Sequence, residues 1–452
     1  MTHPEALEVR STGCCIVGAG PAGAFLGLLL ARAGVETVLL EAHQDFDREF
    51  RGDTIHPSVM ELLDAIGLAD RLLEIPHAKL RRGTIQTADG PVTVLDMTRL
   101  RTRFPWVTML PQTRFLEFLT REAARYPTFE LRMGANVKEL VREGERVAGV
   151  RYPDEGGWRE VRSPLTVAAD GRFSKVRRLL ELEPIRTSPP MDVLWFRLPR
   201  APSDGPPGAA AGFAGGRILV LLDRGESWQV GLVIPKGSFA DLRRGGIEAL
   251  HRAVLEIAPW FEGRLGRLRE WSDVSFLQVE SDRLPRWWVP GLLLIGDAAH
   301  VMSPVGGVGI NYAVQDAVAA FEVLGEPLKT GRLELRHLAN VQRRRERPTR
   351  AIQALQSLVQ RRVVAPALQP AAPIRLPRLA RLLTRMPLVR DLPGWLVGLG
   401  PREAAGVASA ARRGGIPTAG PGPQSRRRPL RSSRSRLQAP APCAAKKSQM
   451  NA

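Results

Sequence analysis

The sequence predicts an α/β fold in which a Rossmann-like domain is interrupted by an antiparallel sheet and followed by a helical C-terminal segment. Three observations carry this reading. A short apolar strand, Cys14 to Val17, runs into the turn Gly18-Ala19-Gly20-Pro21-Ala22-Gly23, then into a helix and a second strand. Between Met191 and Phe239, short runs alternate apolar and polar residues, as strands with one covered face do. Near the far end a buried strand, Gly291 to Ile295, leads into a second glycine-rich turn at Gly296-Asp297 and another helix.

Size and composition bound the alternatives. A chain of 452 residues is too long for one small core and suits two or three structural units. Hydrophobic residues make up 44% and charged residues 25%, which places the chain among ordinary globular proteins. No apolar run is long enough for a membrane helix. Met1 to Arg10 lacks the basic start and apolar middle of a secretion signal. The three cysteines, two of them adjacent at Cys14 and Cys15, make no disulfide framework, so a cytoplasmic location is expected. The net charge is +19, but residues 412–447 hold eight Arg, two Lys and no acid, so the body is only moderately basic.

Each element follows from local pattern. The first helix starts at Pro21, whose fixed φ suits the first helical position, and ends at Gly34. Thr37 to Leu40 is the next strand. A second helix is expected from Pro57 to Ile66, closed by Gly67. Leu80 to Leu110 reads as short strands around an Asp89-Gly90 turn, and Thr113 to Arg125 as a helix. Phe129 to Tyr152 gives two or three strands, and Leu165 to Ala169 a buried strand ending at Asp170-Gly171. The middle sheet takes Val193 to Leu198, Ile218 to Leu222 and Trp228 to Ile234. Pro202 to Gly216, rich in Pro, Gly and Ala, is expected to be a loop. A helix follows from Ile310 to Leu324, then helices broken at prolines from Arg332 to Leu399, and from Ala404 a disordered tail. The expected organisation is 12–79, 111–185 and 281–330 for the nucleotide-binding domain, 80–110 and 186–280 for the sheet domain, 331–403 for the helical region and 404–452 for the basic tail.

The first turn fits G-x-G-x-x-G. Gly18 permits the tight turn, Gly20 the close approach of backbone to a pyrophosphate, and Gly23 the contact of helix with strand. The pyrophosphate meets the positive end of the helix. Glu41 ends the next strand, about 20 residues on, where a carboxylate accepts hydrogen bonds from ribose hydroxyls. The bland alternative is a glycine turn with an incidental surface Glu. In the second turn Pro304, Gly306, Gly307, Gly309 and Asn311 precede a helix. Little side-chain bulk lets a planar ligand approach, and the helix N-terminus favours negative charge. Asp297 either bonds a polyol hydroxyl or caps a helix. Two such turns, far apart in the chain, point to one extended ligand spanning both.

With these residues in view, the chain resembles the single-component FAD-dependent monooxygenases of the para-hydroxybenzoate hydroxylase type, over roughly residues 12–330. Three signatures carry the resemblance: Gly18 to Gly23 with Glu41; Asp170-Gly171-Arg172-Phe173-Ser174-Lys175-Val176-Arg177, similar to D-G-x-x-S-x-x-R; and Gly296 to His300 with Pro304, Gly306, Gly309 and Asn311. The resemblance implies an FAD-binding domain and a role for each matched position. Gly18, Gly20 and Gly23 present backbone to the FAD pyrophosphate, and Glu41 holds the adenosine ribose. Arg51 reaches the pyrophosphate, Gln112 lies near the ribityl and pyrophosphate part, and the Val137 backbone lies near adenine. Asp297 holds the ribityl chain. The amides of Ile310 and Asn311, after Gly309, face the pyrimidine edge of the flavin. The Asp170 signature is associated with FAD and NAD(P)H use; the competing reading has Asp170 capping the helix that begins near Ser174.

The implied reaction is NADPH- or NADH-driven hydroxylation, with O2, of an aromatic, polyketide-like or quinone-type small molecule through a flavin C4a-hydroperoxide. The cofactor carries the chemistry, so no catalytic side chain is nominated and no metal site is expected. A single full G-x-G-x-x-G argues against a separate nicotinamide domain. The halogenase signature W-x-W-x-I-P is absent, Trp287-Trp288 being no match. The middle strands should wall the substrate pocket. Arg197 and His56 are candidate substrate ligands, set against structural or solvent-facing roles. Two alternatives stay open: an FAD-dependent reductase or dehydrogenase on the same fold, and a non-catalytic flavoprotein or tail-mediated binding protein. Arg426-Arg427-Arg428 and the arginines to Arg436 have no interleaved aromatic, so nucleic-acid stacking is not supported. Oligomeric state has no signature.

Overall fold

A computed structural model describes residues 6–47, 52–87, 90–204 and 208–369, and the statements below concern these residues. Arg51, Asp89, residues 370–403 of the expected helical region and the basic tail lie outside them.

Cys14–Val17 lies fully inside a six-stranded sheet of order Trp288–Val289, Leu292–Leu294, Thr166–Ala168, Cys14–Val17, Thr37–Leu40, Phe129–Arg132. All neighbours are parallel except the edge pair of Trp288–Val289 with Leu292–Leu294. Parallel strands covered on both faces are apolar throughout, which is why CCIV, TVLL and LLL carry no alternation. The helix Pro21–Arg32 packs on this sheet beside two others, Gln112–Ala123 and Gly309–Lys329. This is the α/β framework expected from the sequence.

The second layer is a seven-stranded sheet of order Ser275–Leu277, Met191–Pro199, Ser227–Pro235, Arg217–Asp223, Ala209–Ala214, Arg82–Thr87, Gly90–Asp96. Neighbours are antiparallel except Ala209–Ala214 with Arg82–Thr87. Alternation sorts its side chains cleanly. Leu194, Phe196, Leu219, Leu221, Val230 and Leu232 bury one face under the helix Gly246–Ile257. Met191, Val193, Ile218 and Val233 form the other face, together with half-buried Trp195, Phe213 and Val220.

Two expectations fail, and two helices were not foreseen. Ala209–Ala214, placed within a loop, is a strand; Gly215 and Gly216, both at positive φ, fold it back onto Arg217–Asp223. Its small side chains, AAAGFA, hide the usual β signal. Proline does not break the helix Leu335–Val359, which runs through Pro348, and the preceding helix continues past Leu324 and Pro327 to Lys329. The buried face of each helix outweighs the one hydrogen bond that a proline removes. The helices Phe239–Arg244 and Gly246–Ile257 had no counterpart in the sequence reading. No described helix is long and apolar enough to cross a membrane.

Candidate functional site

The first glycine turn is held by backbone packing. Gly18 has φ +98°, and a Cβ there would stand 2.5 Å from the Ala169 carbonyl oxygen. A Cβ on Gly23 would stand 2.0 Å from the Gly18 oxygen. Above Gly20 the space is open, its virtual Cβ meeting only one atom at 3.9 Å. No side chain caps the helix Pro21–Arg32, so its first N–H groups face that opening. Glu41 is buried, and its carboxylate accepts from the Ala19 N–H at 2.9 Å and the His43 N–H at 3.1 Å. The Ala135 N–H donates to the Glu41 carbonyl, which brings the segment with buried Val137 alongside.

The second turn lies against the first. Gly296 sits between two helices, its virtual Cβ 3.1 Å from Ala22 Cβ and 3.5 Å from Ala313 Cβ. Asp297 follows, half-buried. Gly309 opens the helix Gly309–Lys329 without a side-chain cap, and a Cβ there would meet nothing within 4 Å. Residues 52–56 clasp this helix start. A Cβ on Gly52 would stand 3.2 Å from Ile310 Cδ1, Thr54 Oγ1 donates to the Gly307 carbonyl at 2.9 Å, and the His56 N–H donates to Asn311 Oδ1 at 3.0 Å. The Gln112 N–H donates to Asp53 Oδ1 at 3.3 Å, adding the third segment. Gly18, Gly20, Gly23, Glu41, Gln112, Asp297, Gly309, Ile310 and Asn311 thus line one connected stretch around two open helix N-termini. That arrangement fits a dinucleotide: anionic phosphates at helix starts, hydroxyls at carboxylates, a planar ring over glycine.

Sequence reasoning missed what holds the second turn. Asp316, fully buried, accepts from the Gly296 N–H at 2.9 Å, from His300 Nε2 at 2.6 Å and from Arg345 Nε at 2.7 Å. Arg345 is also fully buried and donates to Gln315 Oε1 at 3.0 Å. Burial alone pushes the Asp316 carboxyl up; the charges and hydrogen bonds of His300 and Arg345 outweigh it and hold the group at about 2. His300 Nδ1 is buried without a protein partner.

A second buried pair joins the 52–56 segment to the seven-stranded sheet. Asp53 accepts from Arg224 Nη1, and the same nitrogen donates to Gln229 Oε1 at 2.8 Å. Burial pushes the Asp53 carboxyl up despite Arg224, the Gln112 N–H and nearby Arg197. Arg197 lies directly across from Gln229 on the same sheet face as Trp195, at its exposed end. His56 is buried and starts the helix Pro57–Ala65. Asp170 accepts from Ser174 Oγ at 2.6 Å and from the N–H groups of Lys175 and Val176 at 2.7 and 3.0 Å, so it caps the short helix Lys175–Leu179.

The second face of the seven-stranded sheet is covered in part by Val279, Val364 and Leu368. The Trp195 ring lies over Gly231, whose virtual Cβ would stand 2.8 Å from Trp195 Cζ3. Val305, from the loop before Gly309, packs against this face. Among the described residues no cluster of metal-ligating side chains occurs.

Comparison with known proteins gives consistent results. The family described as FAD binding domain matches residues 11–355. A 6-methylpretetramide 4-monooxygenase of Streptomyces rimosus is 33% identical over 404 residues, covering 86% of this chain and 93% of the relative. A 12-dehydrotetracycline 5-monooxygenase/anhydrotetracycline 6-monooxygenase of the same species is 30% identical over 312 residues, covering 67% of this chain and only 60% of that longer protein. The solved structure of the anhydrotetracycline hydroxylase OxyS from Streptomyces rimosus matches with a TM-score of 0.66 at 25% identity, over 86% of this chain and 76% of that one.

Proposed function

The chain belongs to the FAD-binding-domain family of aromatic monooxygenases, and on that premise we propose that it hydroxylates a planar, multi-ring aromatic of polyketide type, using NADPH or NADH as co-substrate. Bound FAD supplies the redox and oxygen-transfer chemistry. The protein's part is to bind, orient and exclude water. Gly18, Gly20 and Gly23 bring backbone and a helix N-terminus to the pyrophosphate, joined by Arg51. Glu41 holds the adenosine ribose, Val137 borders adenine, Gln112 and Asp297 hold the central chain, and the amides after Gly309, at Ile310 and Asn311, meet the pyrimidine edge. Negative charge at that edge is favoured by the helix start, by roughly 0.3–1 kcal/mol. The division of labour is that of the expected domains: the parallel sheet carries cofactor, the antiparallel sheet walls the substrate.

The observation that carries the substrate class is the half-buried aromatic ring of Trp195 on the second face of the antiparallel sheet. Trp195 lies over Gly231, whose cross-strand neighbour on the other side is half-buried Val220, and Phe213 and Val305 pack against the same face. An aromatic ring on a largely apolar face, with Arg197 and Gln229 at its polar end, recognises a fused-ring ligand by stacking, worth about 0.5–1.5 kcal/mol per ring pair beyond the area buried. The names of the two Streptomyces relatives point to substrates of the same kind. The test is to load the full chain with FAD and add NADPH or NADH in air, with and without 1,8-dihydroxyanthraquinone. Retained flavin and oxidation stimulated by the anthraquinone support the reading; retained flavin with no stimulation by this or smaller phenols counts against it.

A further inference from the structure

The helix Leu335–Val359 and the turn after it bury a polar stripe. Gln342, Arg345, Thr349, Gln353, Gln356 and Gln360 follow at steps of three or four, the spacing of one helix face, and all are buried. A core-facing stripe is ordinarily apolar, because a buried amide is costly unless hydrogen-bonded. Here the amides are aimed at backbone. Gln342 Nε2 donates to the Pro285 carbonyl at 2.8 Å, and Gln353 Nε2 to those of Asp282 and Val301 at 2.8 and 3.2 Å. Gln356 Nε2 donates to the carbonyls of Ser303 and Val305 at 2.9 and 2.8 Å, and Gln360 Nε2 to Ser303 Oγ at 2.5 Å. Ser303 and Val305 flank Pro304, in the loop that leads to Gly309. Aiming both N–H groups there leaves Gln356 Oε1 buried without a partner. The geometry favours the grip on the loop over full satisfaction of the amide.

Beyond Gln360 the same stripe turns apolar. Val364 and Leu368, the next positions at steps of four, cover the second sheet face with Val193, Ile218 and Val233, and with Val305. Steps of four on a straight α-helix drift by about 40° each. The wider π turn Gln360–Val364 reduces that drift and keeps these residues on the stripe. One helix end therefore grips the loop on both sides of Pro304 and, one turn later, abuts the wall of the pocket.

We infer that Gln356 to Leu368 is the specificity element of the enzyme. Gln356 and Gln360 are positioning residues for the loop around Pro304, and Val364 and Leu368 set how long a ring system the pocket admits. The inference rests on the pocket assignment made under the proposed function.

The experiment uses the FAD-loaded full chain, titrated with phenol, with 1,8-dihydroxyanthraquinone (three fused rings) and with 6,11-dihydroxy-5,12-naphthacenedione (four). Binding is read from tryptophan emission and flavin absorption rather than from turnover. Val364→Phe should weaken the three-ring probe at least tenfold and phenol less than twofold. If that variant does not fold, Val364→Ala decides: the four-ring probe should gain at least threefold relative to the three-ring probe. Gln356→Met keeps the length of the side chain and loses the donors. It should lower kcat for the three-ring probe at least tenfold per bound flavin with KM within threefold, whereas a merely structural role would lower flavin content and leave kcat per bound flavin unchanged. Equal effects of the Val364 variants on all probes, or an unchanged kcat per flavin in Gln356→Met, overturn the inference while stimulated NAD(P)H oxidation leaves the functional reading standing. Ring-length selection through Val364 without stimulated oxidation does the reverse. Failure of the wild-type chain to bind any of the probes overturns both.

Discussion

The two glycine turns of the cofactor site are built on opposite principles. Around Gly18 to Gly23 the chain is held mainly by backbone: the Gly23 position abuts the Gly18 carbonyl, and Gly18 abuts Ala169, with Glu41 the one side chain that binds the turn among the bonds described. Around Gly296 to Gly309 the close contacts are with side chains, Ala22 at Gly296 and Thr54 at Gly307, with open space at Gly309, and distant side chains do the holding. Asp316, Arg345 and His300 fix Gly296, Gln356 and Gln360 fix the flanks of Pro304, and Thr54 binds Gly307. In the first, backbone contacts at Gly18 and Gly23 leave no room for a side chain. In the second, polar side chains from several distant segments share the hold.

The largest expected effect comes from the charge cluster. Arg345→Met leaves Asp316 buried beside one fewer cation, and breaking such a pair costs about 3–5 kcal/mol; denaturant unfolding measures it. The same cluster has a pH signature. With its carboxyl held at about 2 against an ordinary 3.8, Asp316 contributes about 2 kcal/mol of stability above roughly pH 4, and loses it as pH falls toward 2. The Arg345→Met deficit should shrink over that acid range, because a protonated Asp316 no longer needs the cation. A deficit independent of pH would detach the arginine from the aspartate.

Gly23→Ala comes next. Its Cβ would meet the Gly18 carbonyl at 2.0 Å, and neither backbone has room to yield. A cost of about 1–3 kcal/mol is expected, with most bound flavin lost; flavin content and thermal melting read the two separately. Gly309→Ala is the contrasting change and the smallest in stability. With nothing within 4 Å of the new methyl group and ordinary helical backbone, melting should hold or rise, by up to about 1 kcal/mol in stability. FAD affinity should fall at least tenfold, because the glycine is there for the ligand. Equal stability losses in Gly23→Ala and Gly309→Ala would erase the distinction between the turns.

This contrast also explains what could be read from the sequence. The first turn was legible because its parts lie between Gly18 and Glu41 and depend on glycine itself. The carboxylate of Glu41 was assigned to a ribose, and the structure adds that it braces Ala19 and His43. The second turn was half legible. Asp297, Gly309 and Asn311 stood out against the glycines, but Asp316, Arg345, Gln356 and Gln360 did not. The run QRRRERPTR looks like a solvated helix surface, and only the three- and four-residue spacing of Gln342, Arg345, Thr349, Gln353, Gln356 and Gln360 marks a buried stripe. Asp170 was left between two roles, and the helix-capping bonds are what its side chain makes. The strand Ala209–Ala214 escaped because small residues carry little β propensity and gain their place from neighbours.

The most direct test of the functional account is oxygen labelling. The FAD-loaded chain, NADPH or NADH and 1,8-dihydroxyanthraquinone are incubated under 18O2, and the product is weighed by mass spectrometry. The account predicts a hydroxylated product carrying one labelled oxygen atom, formed only with the nicotinamide cofactor present. Oxidation of the nicotinamide with a reduced or unlabelled product would contradict it and make the chain a reductase on the same fold.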